Sequence, residues 1–122
     1  KRGDVVVFKA TQTDDYIKRI IGLPGETVEA RDGVVYINNK PLDEPYIKAR
    51  ADEWEAENHA PYTSEFGPVV VPEGDYFVMG DNRPNSKDSR MIGPISKKVL
   101  VGRADLVFWP LDRFKWLNGA GD

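Results

Sequence analysis

The dipeptide Asp32-Gly33 sits between two short strand-like runs, Thr27 to Arg31 and Val34 to Asn38. Asp-Gly flanked in this way is among the strongest short-range signals for a β-hairpin, because both turn positions need positive φ. The rest of the chain repeats the theme. Asp4-Val5-Val6-Val7-Phe8-Lys9 is a short β-branched run suited to a buried strand. Tyr16-Ile17-Lys18-Arg19-Ile20-Ile21 is a second, stopped by Gly22-Leu23-Pro24-Gly25. Val69 to Val71, Tyr76 to Met79 and Ala104 to Trp109 supply three further strands. Helix is expected only around Arg50 to Asn58. Strands without alternating long helices predict an all-β fold, mainly antiparallel, closing partly on itself like a barrel.

Composition narrows the chemistry. The 122 residues suit one domain. With 40% hydrophobic and 30% charged residues the chain should bury a core. Its net charge of −3 and pI near 5.2 argue against general binding of nucleic acid. The acidity is local: Asp43 to Glu65 holds seven acids against two bases, a local −5, and leaves +2 on the remainder. The absence of cysteine excludes disulfides, Cys-type zinc sites and thiol nucleophiles. A single histidine, His59, leaves no His-rich metal site, and its acidic, proline-flanked context reads as a solvated loop. No cofactor and no metal are expected. No apolar run approaches the ~20 residues of a membrane helix, and no signal-peptide pattern is present. The acidic excursion offers carboxylates for glycoside chemistry, but nothing fixes their spacing, and such a run is normally a solvated face.

Two places carry more information. Gly80 to Arg90 packs two aspartates, two arginines, two asparagines and two serines into eleven residues after an apolar strand. Such side chains bond to nearby backbone and pair with one another, which holds an irregular loop in one shape. The segment lacks the glycine spacing and Gly-Lys-Ser/Thr ending of a phosphate loop, and Arg83 stands where a calcium loop needs an oxygen ligand. Lys18 shares a strand face with Tyr16 and Ile20. Burial there would disfavour the ammonium and yield a neutral-amine base. The alternative is a surface lysine paired with Asp14 or Asp15, and periodicity does not choose, since Arg19 on the other face is also flanked by isoleucines.

Together these segments resemble bacterial type I signal peptidase. The resemblance rests on Lys1 to Phe8, on Tyr16-Ile17-Lys18-Arg19-Ile20-Ile21-Gly22-Leu23-Pro24-Gly25-Glu26 and on Gly80 to Arg90, with Val71 to Met79 and Trp109 to Arg113 between and after them. It implies a serine endopeptidase using a Ser–Lys dyad. On it, Lys18 is the general base, Ser86 orients the lysine amine, and Asp88 and Arg90 hold the site loop, with Asp81 and Arg19 in similar supporting parts. Pro84 departs from the commoner Asp or Asn and should stiffen the loop. The resemblance also implies preprotein substrates with small side chains at −1 and −3, a membrane anchor and work on the extracytoplasmic side. Val5, Val7 and Ile20 are candidates for lining the substrate pockets. The expected division is a catalytic core over about 1–28 and 69–122, with a smaller cap over about 29–68.

The family nucleophile lies in a Ser-Met-x-Pro-Thr stretch behind the anchor, upstream of the first matched segment. None of Ser64, Ser86, Ser89 and Ser96 sits in that context. A start at Lys1, next to a strand, therefore suggests part of a longer protein, inactive alone, with an apolar surface open to self-association. Ser86 or Ser89 as nucleophile stays open from the residues alone. Two other readings compete: a self-cleaving repressor-type Ser–Lys protease, and a non-catalytic β-barrel binding module.

Overall fold

The computed structural model of the chain describes residues 2–9, 15–96 and 108–109. Its strands are β1 (Val5–Lys9), β2 (Asp15–Gly22), β3 (Thr27–Arg31), β4 (Val34–Ile37), β5 (Lys40–Pro41), β6 (Phe66–Val70), β7 (Asp75–Met79), β8 (Ile95–Ser96) and β9 (Phe108–Trp109). Helix is confined to α1 (Lys48–Asn58), α2 (Ser89–Ile92) and a 3-10 turn at Arg83–Asn85. The first sheet has the order β8-β7-β2-β1-β9 and the second β5-β4-β3-β6. Every pairing among the described residues is antiparallel.

The all-β, mainly antiparallel expectation holds, with little helix. The strands form two sheets, and no closed barrel is found among the described residues. The two-residue strands β8 and β9 lie at opposite edges of the first sheet and do not pair with each other. Of the predicted run Ala104 to Trp109, only β9 is described; residues 104–107 and 110–113, Lys1 and Asp14 lie outside the described residues.

Local chemistry explains the elements. Asp32 and Gly33 have φ of 52° and 81°, the paired positive values of a tight hairpin turn, and Arg31 faces Val34 across it. Gly22 lies where the two sheets meet. A Cβ there would stand 2.6 Å from Val28 Cγ2 and 3.0 Å from Phe77 Cβ, so only glycine admits this approach. The main core lies between the sheets: Ile21, Phe77 and Met79 of the first pack on Val28, Ala30, Val35 and Ile37 of the second, with Val71. On the other face of the first sheet, Val6, Ile20 and Val78 form a second cluster.

The acidic excursion folds around α1, which holds no buried residue of its own. It is tied down at its end: Glu55 Oε2 accepts the Tyr62 N–H at 2.8 Å, and Trp54 meets the Tyr62 ring edge-on at 5.9 Å. His59 is exposed at the C-cap of α1, with φ 54°.

Near the start of the chain, Arg2 Nη1 and Nη2 bond Glu26 at 2.6 and 2.9 Å, while Glu26 also accepts the Leu23 N–H at 2.7 Å. The Arg2 guanidinium thereby holds the Glu26 carboxyl below its ordinary range, with partial burial opposing and the Leu23 N–H assisting. A carboxyl depressed in the folded state stabilises above its unfolded pKa, about 4.3 for glutamate, and that stability is lost as pH falls through the folded value. The stability advantage of the unmutated chain over Glu26→Gln is therefore expected at neutral pH and should shrink from about pH 5 downward. Urea midpoints at pH 7 and pH 3.5 check this; a constant difference would contradict it.

Candidate active site

Strand β2 is central, with β1 on one side and β7 on the other, and both its faces are covered. That is why alternation does not reveal a solvent face: Lys18 is 1% exposed and Arg19 2%. Cross-strand partners share a face, and the register pairs Lys18 with Val6 and Ile20 with Val78. Lys18 thus points into the Val6, Ile20, Val78 cluster. Arg19, paired with Val5 and Met79, points the other way, toward the second sheet. The alternative of a surface lysine is excluded by this burial. The same register separates the suggested pocket residues. Ile20 lies on the Lys18 face, Val5 lies on the Arg19 face, and the Val7 side chain is outside the described residues.

The loop from Gly80 to Arg90 reaches both faces. On one, Lys18 Nζ donates to Ser86 Oγ at 2.8 Å. On the other, Arg19 makes a bidentate pair with Asp81, Nε to Oδ1 at 2.9 Å and Nη2 to Oδ2 at 2.5 Å, while Nη1 bonds the Gly3 carbonyl at 2.9 Å. Between these contacts the loop is pinned from within. Asp88 is fully buried and accepts four bonds: Oδ1 from Arg90 N at 3.1 Å and Nε at 2.8 Å, Oδ2 from Gly80 N at 2.9 Å and Arg90 Nη2 at 2.7 Å. Arg90 Nη1 continues to the Arg83 carbonyl at 3.1 Å. Ser89 Oγ accepts the Val78 N–H at 2.9 Å, which gives this serine a structural partner in β7. All six residues singled out from the sequence thus belong to one connected arrangement.

Three further residues went unrecognised in the sequence. Arg83 opens the 3-10 turn and is buried; its Nε bonds the Gly80 carbonyl at 2.8 Å, and Nη1 and Nη2 bond Glu44 at 3.1 and 2.5 Å. Burial pushes this guanidinium down, and the Glu44 carboxylate more than offsets that, leaving it above its ordinary value. Tyr46 donates its hydroxyl to Glu44 at 2.9 Å and places its ring 3.8 Å beneath the Arg19 guanidinium. Burial, followed by the Glu44 carboxylate, pushes the Tyr46 phenol well up, so it stays protonated. The signal was one of two arginines in the Gly80–Arg90 loop, but its carboxylate partner lies 39 positions away.

Among the described residues no buried side-chain nitrogen or oxygen lacks a partner, and no three acidic or imidazole groups are placed to hold a metal ion. No helix among them is long and apolar enough to cross a membrane. The arrangement offers a buried amine hydrogen-bonded to a half-buried hydroxyl on a loop held rigid by ion pairs. That is the geometry of a positioned base.

Comparison with known proteins agrees with this geometry. A family model described as signal peptidase, peptidase S26, matches residues 1–109. The chain is 47% identical over 117 residues to signal peptidase I of Bacillus licheniformis, covering 94% of this chain and 62% of that protein. It is 46% identical over 118 residues to signal peptidase I S of Bacillus subtilis, covering 96% and 64%. The chain thus spans less than two thirds of the length of these relatives. A signal peptidase I crystal structure from Enterococcus faecalis superposes with a TM-score of 0.71 at 38% identity, covering 81% of this chain and 91% of that one. With most of its length matched in sequence and in fold, the chain belongs to the signal peptidase I family, peptidase S26.

Proposed function

We propose that this chain supplies the base and the supporting loop of a Ser–Lys endopeptidase that removes signal peptides from exported preproteins after small residues. The observation that carries the reading is the buried Lys18, whose Nζ stands 2.8 Å from Ser86 Oγ in an apolar surround. In the reaction, a serine hydroxyl attacks the scissile carbonyl while the neutral Lys18 amine takes its proton. The resulting ammonium returns that proton to the leaving amine as the peptide C–N bond breaks. Water then cleaves the acyl-enzyme, with Lys18 again the base. Ser86 keeps the amine aimed by accepting from it. Asp88, Arg90, Asp81 and Arg19 keep the loop and strand β2 in their relative places.

On the family resemblance the attacking serine lies upstream of Lys1, in a membrane-anchored parent whose catalytic part faces the extracytoplasmic side. On this reading residues of about 1–28 and 69–122 make the catalytic core and about 29–68 a smaller cap, with the bounds falling inside β3 and β6. The substrate meets the site as an extended strand, its small −1 and −3 side chains entering shallow apolar pockets. The discriminating experiment sets the 122-residue chain beside the same chain extended upstream through the serine stretch, both assayed on an Ala-x-Ala peptide. Turnover with an acyl-enzyme burst is expected only from the extended form. Robust cleavage by the shorter chain would place the nucleophile within it and overturn the assignment.

A further inference from the structure

Two residues of the acidic excursion, Glu44 and Tyr46, reach the centre of the site. Glu44 grips Arg83, the first residue of the 3-10 turn at whose end Ser86 stands. Tyr46 lies under Arg19, the immediate neighbour of Lys18 on β2. The Tyr46 hydroxyl, donated to Glu44, joins the two contacts. One short segment therefore holds both partners of the Lys18–Ser86 hydrogen bond through arginines, Arg19 next to Lys18 and Arg83 at the start of the turn that Ser86 ends. Those partners are 68 residues apart in sequence and belong to different elements. The Arg19–Asp81 pair ties β2 to the start of the loop, and this segment adds a second tie at the turn that carries Ser86.

We propose that Glu44 and Tyr46 are positioning residues for catalysis: Glu44-Pro45-Tyr46 is a clip that fixes Ser86 against Lys18 through Arg83 and Arg19. This rests on the reading of Lys18 as base and Ser86 as its orienter. The brace is electrostatically coherent. Arg83 sits with side-chain exposure of 0% and Glu44 with 9%, so the pair is dry and bidentate. Thr63 Oγ1 accepts from Arg83 Nη1 at 3.2 Å, and the Tyr62 hydroxyl bonds the Asp81 carbonyl at 2.8 Å, so the far end of the excursion closes over the same groups. A clip of this kind acts on the chemical step, because the base must be held at hydrogen-bond reach throughout proton transfer. It does not touch the peptide, so it should leave substrate affinity alone.

The test uses the parent enzyme with its upstream serine, and measures kcat and KM on an Ala-x-Ala peptide. Glu44→Gln is expected to lower kcat about 10- to 100-fold, the loss typical of a misplacement near 1 Å, with KM changed less than about twofold. Tyr46→Phe, which keeps the ring under Arg19, is expected to retain kcat within about threefold, whereas Tyr46→Leu should lose about tenfold. Glu44→Gln leaves Arg83 buried with a weaker partner and invites misfolding. The double variant Glu44→Leu/Arg83→Met removes both charges and keeps the volume. It should fold with a Tm close to the unmutated enzyme and still show the kcat loss. A folded double variant with undiminished kcat overturns the clip. So does a loss that falls wholly on KM. Lys18→Met serves as the control: if it retains turnover, the base assignment falls and the clip with it. If it is inactive beside a fully active double variant, the clip alone falls.

Discussion

Lys18→Met in the parent enzyme should cut peptide cleavage by about a thousandfold to ten-thousandfold, the scale of losing the general base of a nucleophilic dyad. It should do so without unfolding the protein. Lys18 is 1% exposed and faces Val6, Ile20 and Val78, so a methionine of similar length adds apolar contact where an amine was held. Exchanging a buried ionisable group for a well-packed apolar one is commonly neutral or stabilising. Ser86, half-buried, stays within reach of water for its lost partner. The expected result is a Tm equal to or above that of the unmutated enzyme with turnover close to nil. Full activity in the folded variant would remove Lys18 from the mechanism. Activity lost together with the fold would count for packing instead.

Asp88 should show the opposite balance, with stability as the first casualty. Its two oxygens, fully removed from solvent, satisfy the Gly80 and Arg90 backbone N–H groups and two nitrogens of the Arg90 guanidinium. Asp88→Ala strands those donors and leaves the Arg90 charge, itself mostly buried, without its counter-ion. Breaking a buried pair in this way costs about 3–5 kcal/mol. For a domain of this size that lowers Tm by roughly 10–20 °C. The contrast is Lys48–Asp52 on α1, with 75% and 65% of the side chains exposed, where Asp52→Asn should change stability by less than about 0.5 kcal/mol. Thermal and urea unfolding of the two variants decide the matter. Equal small effects would show that the loop does not depend on Asp88.

What the chain discloses in sequence and what it withholds divide along a physical line. Elements set by neighbours in sequence were legible. The Asp32-Gly33 turn, the β-branched run at Val5 and the helix expected over Arg50 to Asn58, found as Lys48–Asn58, all rest on local preference. Strands β5 and β8, of two residues each, carry no such preference and exist only because longer strands lie beside them. The orientation of β2 was not decidable from alternation, since a strand covered on both faces places a lysine and an arginine in burial alike. The suggested pocket residues divide for a related reason: Val5 and Ile20 look equivalent along the chain, but the register puts them on opposite faces. Nothing near Glu44 announces that it answers Arg83. The Gly80–Arg90 loop stood out by its composition, family resemblance suggested the roles of its residues, and the structure shows Asp88, Arg90 and Arg83 bonded to one another.

Three contacts at the centre of this molecule join distant parts of the chain: 68 positions separate Lys18 from Ser86, 62 separate Arg19 from Asp81, and 39 separate Glu44 from Arg83. Closing loops of that size costs entropy before any bond rewards it, and folds dominated by such contacts form slowly, in milliseconds to seconds. The loop that brings Ser86 to Lys18 also follows the whole second sheet in the chain. The Lys18 amine and the Ser86 hydroxyl are therefore brought together only once β2, the second sheet and the loop have packed. With Lys18 read as the base, a site of this kind is put together by long-range topology and not by local preference, so it forms among the last parts of the fold.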